Sequence, residues 1–150
     1  MTIIHADMLA ALSRARQKRG ELQAKLRKAA VELVREYLDS LKPEAADVKD
    51  YVVTGELVGI NYERKPVTAI GLSEDKALRF VITTTIDGSP LSRYVISVAI
   101  MMRADEETLS ITIENDPLPI IVLEEGIEGR FYEVAERIKS TILTKIERIA

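Results

Sequence analysis

The chain predicts an α+β fold: a long N-terminal helix, an antiparallel sheet of five or six strands in mainly meander order, and a C-terminal amphipathic helix packed on the sheet. Three observations carry that prediction. Apolar residues recur at helical spacing over residues 6–41. Two runs rich in β-branched residues, 78–86 and 91–103, alternate apolar and polar positions about a central Asp87-Gly88-Ser89-Pro90. A last apolar arc, Ile127, Phe131, Val134, Ala135, Ile138, Ile142, Ile146 and Ile149, spans about 120° at the helical step of 100° per residue. The 150 residues suit one unit with a substantial core, since a chain of that size buries roughly 68–70% of the surface its unfolded form exposes. Within that unit, residues 1–42 form a helical arm, 51–123 the sheet and 129–149 the C-terminal helix.

In the arm, Met8, Leu12, Ala15, Leu22, Leu26, Ala29, Ala30, Leu33, Tyr37 and Leu41 share one broad face, with Gly20 as the interruption. Asp7 predicts the N-cap, and Lys42-Pro43 the stop, because a residue before proline is pushed out of helical geometry. Residues 6–41 as one helix span about 54 Å at 1.5 Å per residue. A compact domain of this size has a radius of gyration near ~15 Å, hence a diameter of roughly 40 Å. An unbroken helix therefore overhangs its own domain: the arm either breaks near Gly20 or lays its first turns on another chain.

Residues 43–50 read as a polar linker or one short helical turn. Residues 51–62 predict a strand, in which Gly55 and Gly59 mark a bulge or a close backbone approach. A turn at Glu63-Arg64-Lys65-Pro66 leads to a second short strand over 67–72. In the central hairpin, Leu78, Phe80, Ile82 and Ile86 oppose Arg79, Thr83 and Thr85, while Tyr94, Ile96, Val98, Ile100 and Met102 oppose Arg93, Val95, Ser97, Ala99 and Arg103. A one-residue slip moves every side chain to the other face, so loop length can be tested. Loops of two or four residues match the strong face of one arm to the weak face of the other. Loops of three or five pair Phe80 with Ile96 or Val98 and keep the apolar sets together, which predicts an odd-length loop. After a charged turn at 104–107, Leu109, Ile111 and Ile113 alternate with Ser110, Thr112 and Glu114 in a strand. Residues 115–119 break it, and 120–123 form a sixth, edge strand or an apolar lead-in to the last helix.

The residues offer little chemistry. The absence of cysteine removes disulfides, thiolate catalysis and cysteine-ligated metals. His5 is the single histidine, which excludes a multi-histidine metal site within one chain and leaves only a terminal residue for a triad. Asp50 with Glu63-x-Lys65 can be fitted to the acid spacing of a magnesium-dependent nuclease. Asp47-x-Lys49 and Glu74-x-Lys76 satisfy the same short pattern, and a turn beside Pro66 is a poor support for a metal. The acids at 105–107, and Glu124, Glu125 and Glu128, lack the spaced oxygens and glycine of a calcium loop. Gly55-x-x-x-Gly59 has no helix behind it to hold a phosphate. The sequence therefore predicts no catalytic, cofactor-binding or metal-ligating residue, and a protein that is not an enzyme. No apolar stretch approaches the ~18 residues of a membrane span, and the start lacks a basic segment leading a long apolar one. The expectation is a cytoplasmic protein without membrane attachment.

Charge is divided unevenly. Residues 1–42 carry nine Lys or Arg against five acids, and 43–150 carry twelve against nineteen, for a net charge of −3. On a helical wheel Arg14, Lys18, Lys25 and Lys28 form a stripe opposite the apolar face, the candidate contact for nucleic acid. That stripe continues into Glu32, Glu36 and Asp39, with Glu21–Lys25 and Lys28–Glu32 spaced for ion pairs. The absence of tryptophan and the two phenylalanines weaken a base-stacking surface. The preferred reading is a non-catalytic homo-oligomeric protein-binding or assembly protein. It pairs with itself and with another protein through the N-terminal helix or the weak face of the sheet; nucleic-acid binding is the alternative.

Overall fold

The N-terminal arm is one continuous helix. In a computed structural model, which describes residues 2–41, 51–89, 92–114, 116–123 and 127–149, α1 runs from His5 to Ser40 through Gly20 without a break. Ile4 is its N-cap. Asp7 is three residues further in, where its carboxylate accepts the Ile4 amide at 2.9 Å, so Asp7 closes the first turn from inside rather than capping it. The predicted stop at Lys42-Pro43 and the linker 43–50 lie outside the described residues.

Six antiparallel strands follow: β1 (Val52–Val58), β2 (Asn61–Arg64), β3 (Leu78–Ser89), β4 (Ser92–Ala104), β5 (Thr108–Ile113) and β6 (Ile120–Leu123), in the spatial order β2-β1-β3-β4-β5-β6. From β3 to β6 the sheet is a meander, and β6 is its edge strand. The run 51–62 differs from the single strand expected there. Gly59, at φ +65°, turns the chain back at residues 59–60, because a left-handed residue is cheapest at glycine. Residues 67–72 are not a strand either. Val67–Ala69 makes one 3₁₀ turn, and residues 65–77 carry the chain from the outer edge back across β1 to β3, burying Val67 and Ile70.

The hairpin keeps its faces and shifts its partners. Phe80 pairs with Ile100 and Leu78 with Met102, not with Ile96 or Val98, because Asp87 and Ser89 still belong to the strand and the turn moves past them. The register slips once between Asp87 and Ser89; the connecting residues 90 and 91 lie outside the described residues. The last pair, Ser89 with Ser92, leaves two connecting residues instead of the odd number expected, and the slip restores the parity, so Leu78, Phe80, Ile82, Ile96, Val98, Ile100 and Met102 meet on one buried face.

Over that face lie α1, the crossover 65–77 and α2 (Tyr132–Ile149). Leu26, Ala29, Ala30, Leu33 and Tyr37 of α1 and Val134, Ala135, Ile138 and Ile142 of α2, with Phe131 just before it, close a single core against the strands. The strong face of β3 carries one polar residue, Thr84, whose hydroxyl is 2.7 Å from that of Tyr37. Burial pushes the Tyr37 phenol above its ordinary range, and the Thr84 hydrogen bond acts the other way. The opposite face of the sheet carries no described helix. At Gly55 the expected close approach is present: an added Cβ there would lie 2.4 Å from the Glu63 carbonyl oxygen and 2.6 Å from the Tyr62 ring. Tyr62 thus lies across its neighbouring strand, and the Thr83 hydroxyl donates to its phenol at 3.3 Å.

Candidate functional site

α1 divides at Leu22. Every residue from Thr2 to Glu21 is exposed, whereas from Leu22 onward the helix buries one side against the sheet. The seventeen helical residues before Leu22 project about 25 Å at 1.5 Å per residue. Large apolar side chains stud that length: Ile3, Ile4, Met8, Leu9 and Leu12 are between 47% and 71% exposed. Scattered apolar residues on a surface are ordinary, but Ile4, Met8 and Leu12, each four residues apart, form a row along one helix face.

The foot of this projection is fixed by polar side chains one turn apart. The Arg19 guanidinium donates to the carbonyls of Leu72 and Ser73 at 3.0 and 3.1 Å, the Gln23 side chain accepts the Leu72 amide at 3.4 Å, and Arg27 donates to the Ile70 carbonyl at 2.8 Å. These three residues satisfy backbone groups of a crossover that no strand pairs. Further along, Glu32 takes both arms of the Arg130 guanidinium at 2.8 and 3.2 Å, and Glu36 accepts the Phe131 amide at 2.9 Å, where its negative charge suits the start of α2. The Arg130 side chain, 7% exposed, also places its guanidinium 4.7 Å from the centre of the Phe131 ring. The acids expected on a solvated stripe thus hold the second helix in place. Their spacing was visible in the sequence; their target, nearly a hundred residues away, was not.

The four candidate nucleic-acid contacts have different surroundings along α1. Arg14 and Lys18 flank a notch of about 490 Å³ with Ala11, Ala15, Leu22 and Lys76 at the foot of the projection. Lys25 is half-buried in a different cleft with Glu106, Glu107 and Arg130. Lys28 is exposed on the docked half. Glu21 accepts a hydrogen bond from Gln17 at 3.4 Å.

On the uncovered sheet face, β1 peels away from β3 after Gly55 and opens a cleft of about 430 Å³ bordered by Leu57, Leu72, Arg79, Val81, Met101 and Glu114. Beside it Asp75 accepts from Ser73, Arg79 and Arg103. The Ser73 hydroxyl first, then the two guanidiniums, hold its carboxyl down at about 2. Of the residues that fit a nuclease pattern, Asp50 lies outside the described residues, Glu63 is exposed on β2, and Lys65 pairs with Glu56. His5 is exposed at the first position of α1. Among the described residues no three His, Asp or Glu side chains come together as a metal site, and no helix is long and apolar enough to cross a membrane. Comparison with protein-family models, curated proteins and solved structures finds no match to this chain.

Proposed function

We propose that this chain is a non-catalytic homo-oligomeric assembly protein that pairs with a second copy through the projecting half of α1 and offers the uncovered sheet face to a partner protein. One observation carries the reading: the apolar row of α1 continues past the end of its own sheet, leaving Ile4, Met8 and Leu12 in solvent. Covering such a side chain from full exposure is worth about 1.5–3 kcal/mol, so removal of the row from water favours association. Light scattering coupled to size exclusion, run over a dilution series, checks it. A dimer or higher species is expected at micromolar concentration, and Leu12→Asp is expected to turn it into a monomer that remains folded by circular dichroism. A strict monomer for the unchanged protein would remove this reading.

Arg14, Lys18 and Lys76 converge on one notch, and that convergence favours nucleic-acid binding as the second reading. It makes a different demand on salt: for six to ten phosphate contacts, affinity falls by roughly 10³ to 10⁵ between 50 and 200 mM. Arg19 and Arg27 are engaged by the crossover, so the expected result is no submicromolar DNA or RNA binding at physiological salt. The combined change of Arg14, Lys18, Lys25 and Lys28 to glutamine is expected to leave the oligomeric state unaltered. Tight binding that the four substitutions abolish would reverse the ranking.

A further inference from the structure

α1 carries the same apolar pattern twice. Ile4, Met8, Ala11, Leu12 and Ala15 precede Leu22, Leu26, Ala29, Ala30 and Leu33 by eighteen residues in each case, and eighteen residues are five whole turns at 3.6 per turn. The two sets therefore point in the same direction from one continuous helix. The second set is the contact with the sheet; the first set, aimed the same way, has no described part of the chain beneath it.

That shared direction decides how a second copy can lie there. We infer that two chains pair antiparallel along residues 4–22 of α1, with the amino end of each helix reaching the foot of the other; the inference rests on self-association through this helix. A partner helix running parallel along the exposed set would continue straight into the volume held by the crossover, which Arg19 and Gln23 fasten against α1. An α-helix with its side chains is about 10–12 Å across, and no such width is free there. Run antiparallel, the partner's first residues end at the foot, where the notch of about 490 Å³ lies between Lys18, Leu22 and Lys76. Its own domain then falls beyond the amino end of the first chain's α1.

Side-chain size and charge agree with this direction. Met8, Leu12 and Ala15 are spaced four and three residues apart, the seam of a two-stranded coil, and the next seam positions, Arg19 and Leu22, are already held by the crossover and the core. In the register that uses the whole projection, Leu12 of one copy faces Ala15 of the other, large against small. A parallel pair would place Arg14, Arg16, Lys18 and Arg19 of both copies side by side, where like charges repel. The antiparallel pair sets Arg16, Lys18 and Arg19 of each copy level with Ala11, Leu9 and Met8 of its mate and brings Asp7 of one copy near Lys18 and Gly20 of the other.

Because the chain lacks cysteine, single-cysteine variants carry spin labels without background. His5→Cys and Ala11→Cys are both on exposed helix and leave the docked half untouched. In the antiparallel dimer the two labels at position 5 stand about 25 Å or more apart, seventeen residues along the axis. Those at position 11 come within about 15 Å, five residues along it across an interaxial distance near 9 Å. Dipolar distances that are long at 5 and short at 11 are the expected result. Short distances at both positions mean a parallel pair, and long distances at both mean a dimer made elsewhere on the surface; either overturns the antiparallel assignment while self-association stands. A monomeric labelled protein by light scattering, for both variants and the unchanged chain, would instead remove the self-association reading, and this assignment with it.

Discussion

The two halves of α1 are built alike and meet different surroundings. Leu26, Ala29, Ala30 and Leu33 are almost fully buried, while Met8, Ala11, Leu12 and Ala15, five turns earlier on the same line, are exposed. Helical spacing of apolar residues makes a face; it does not supply the surface that receives it. Here the sheet and the crossover extend under α1 only from about Leu22 onward, and Arg19 marks the step with its two hydrogen bonds to residues 72 and 73. Beyond the step the helix keeps its apolar stripe without a partner among the described residues.

The same charge placed on each half separates the two most forcefully. Leu26→Asp buries an unpaired carboxylate at a position with no exposure, which is expected to cost ~4 kcal/mol or more and to prevent folding. Leu12→Asp is expected to change the urea midpoint of the monomer by less than ~0.5 kcal/mol in equivalent stability, as an exposed substitution does. Similar damage from both, read by chemical denaturation at low protein concentration, would show that the projecting half is not free of its own domain.

A second pair of substitutions tests the surface that the docked half covers. Ile96→Asp falls on the helix-side face, where Ile96 is 4% exposed, and is expected to cost several kcal/mol. Ser97→Asp points the other way, from an exposed position. It gives up the 3.0 Å hydrogen bond between the Ser97 and Thr83 hydroxyls, a loss of about 1 kcal/mol. Equal effects would mean that the faces of β4 are assigned the wrong way round.

The smallest effect sharpens the description of the docked half. Tyr37 ionises above its ordinary value of 10.0 because burial disfavours the phenolate. The unfolded chain therefore loses that proton first. Stability from this group is complete below pH 10.0 and declines as pH rises through the higher folded value. Tyr37→Phe removes the titration and leaves the Thr84 hydroxyl, itself buried, without its partner. It is expected to lose about 1–2 kcal/mol at neutral pH and to show a shallower alkaline decline in urea midpoint than the unchanged protein. An identical alkaline profile would place the titrating group elsewhere.

Much of this architecture was legible in local pattern. Alternation in 78–103 and 109–113 identifies strands and their buried faces, because the side-chain period of a strand is two whatever it packs against. The helical arcs of α1 and α2 were legible for the same reason, with a period of 3.6. Legibility failed where one residue serves two geometries. The run 51–62 reads as one strand because Gly59 is compatible with either a straight or a reversed chain; only pairing of Leu57 with Tyr62 reverses it. Residues 67–72 are apolar enough for a strand, yet the outer edge is taken by β2, and the segment can only cross over and be held by Arg19, Gln23 and Arg27. The candidate site was legible as an overhang, from length alone. Its foot was not, since the hydrogen bonds that define it join residues about fifty positions apart.

By itself, then, the order of residues determined the two helices, the strands of the central hairpin and of 109–113, the two faces of the sheet and the excess length of the first helix, all of which follow from backbone periodicity and rise per residue. The tertiary structure alone decided where that helix parts from its domain, which hydrogen-bond partners the charged residues of α1 take, and which strand occupies each edge. Those outcomes depend on long-range pairing, in which a carboxylate such as that of Glu32 finds Arg130 across ninety-eight positions, and no local period encodes such a distance.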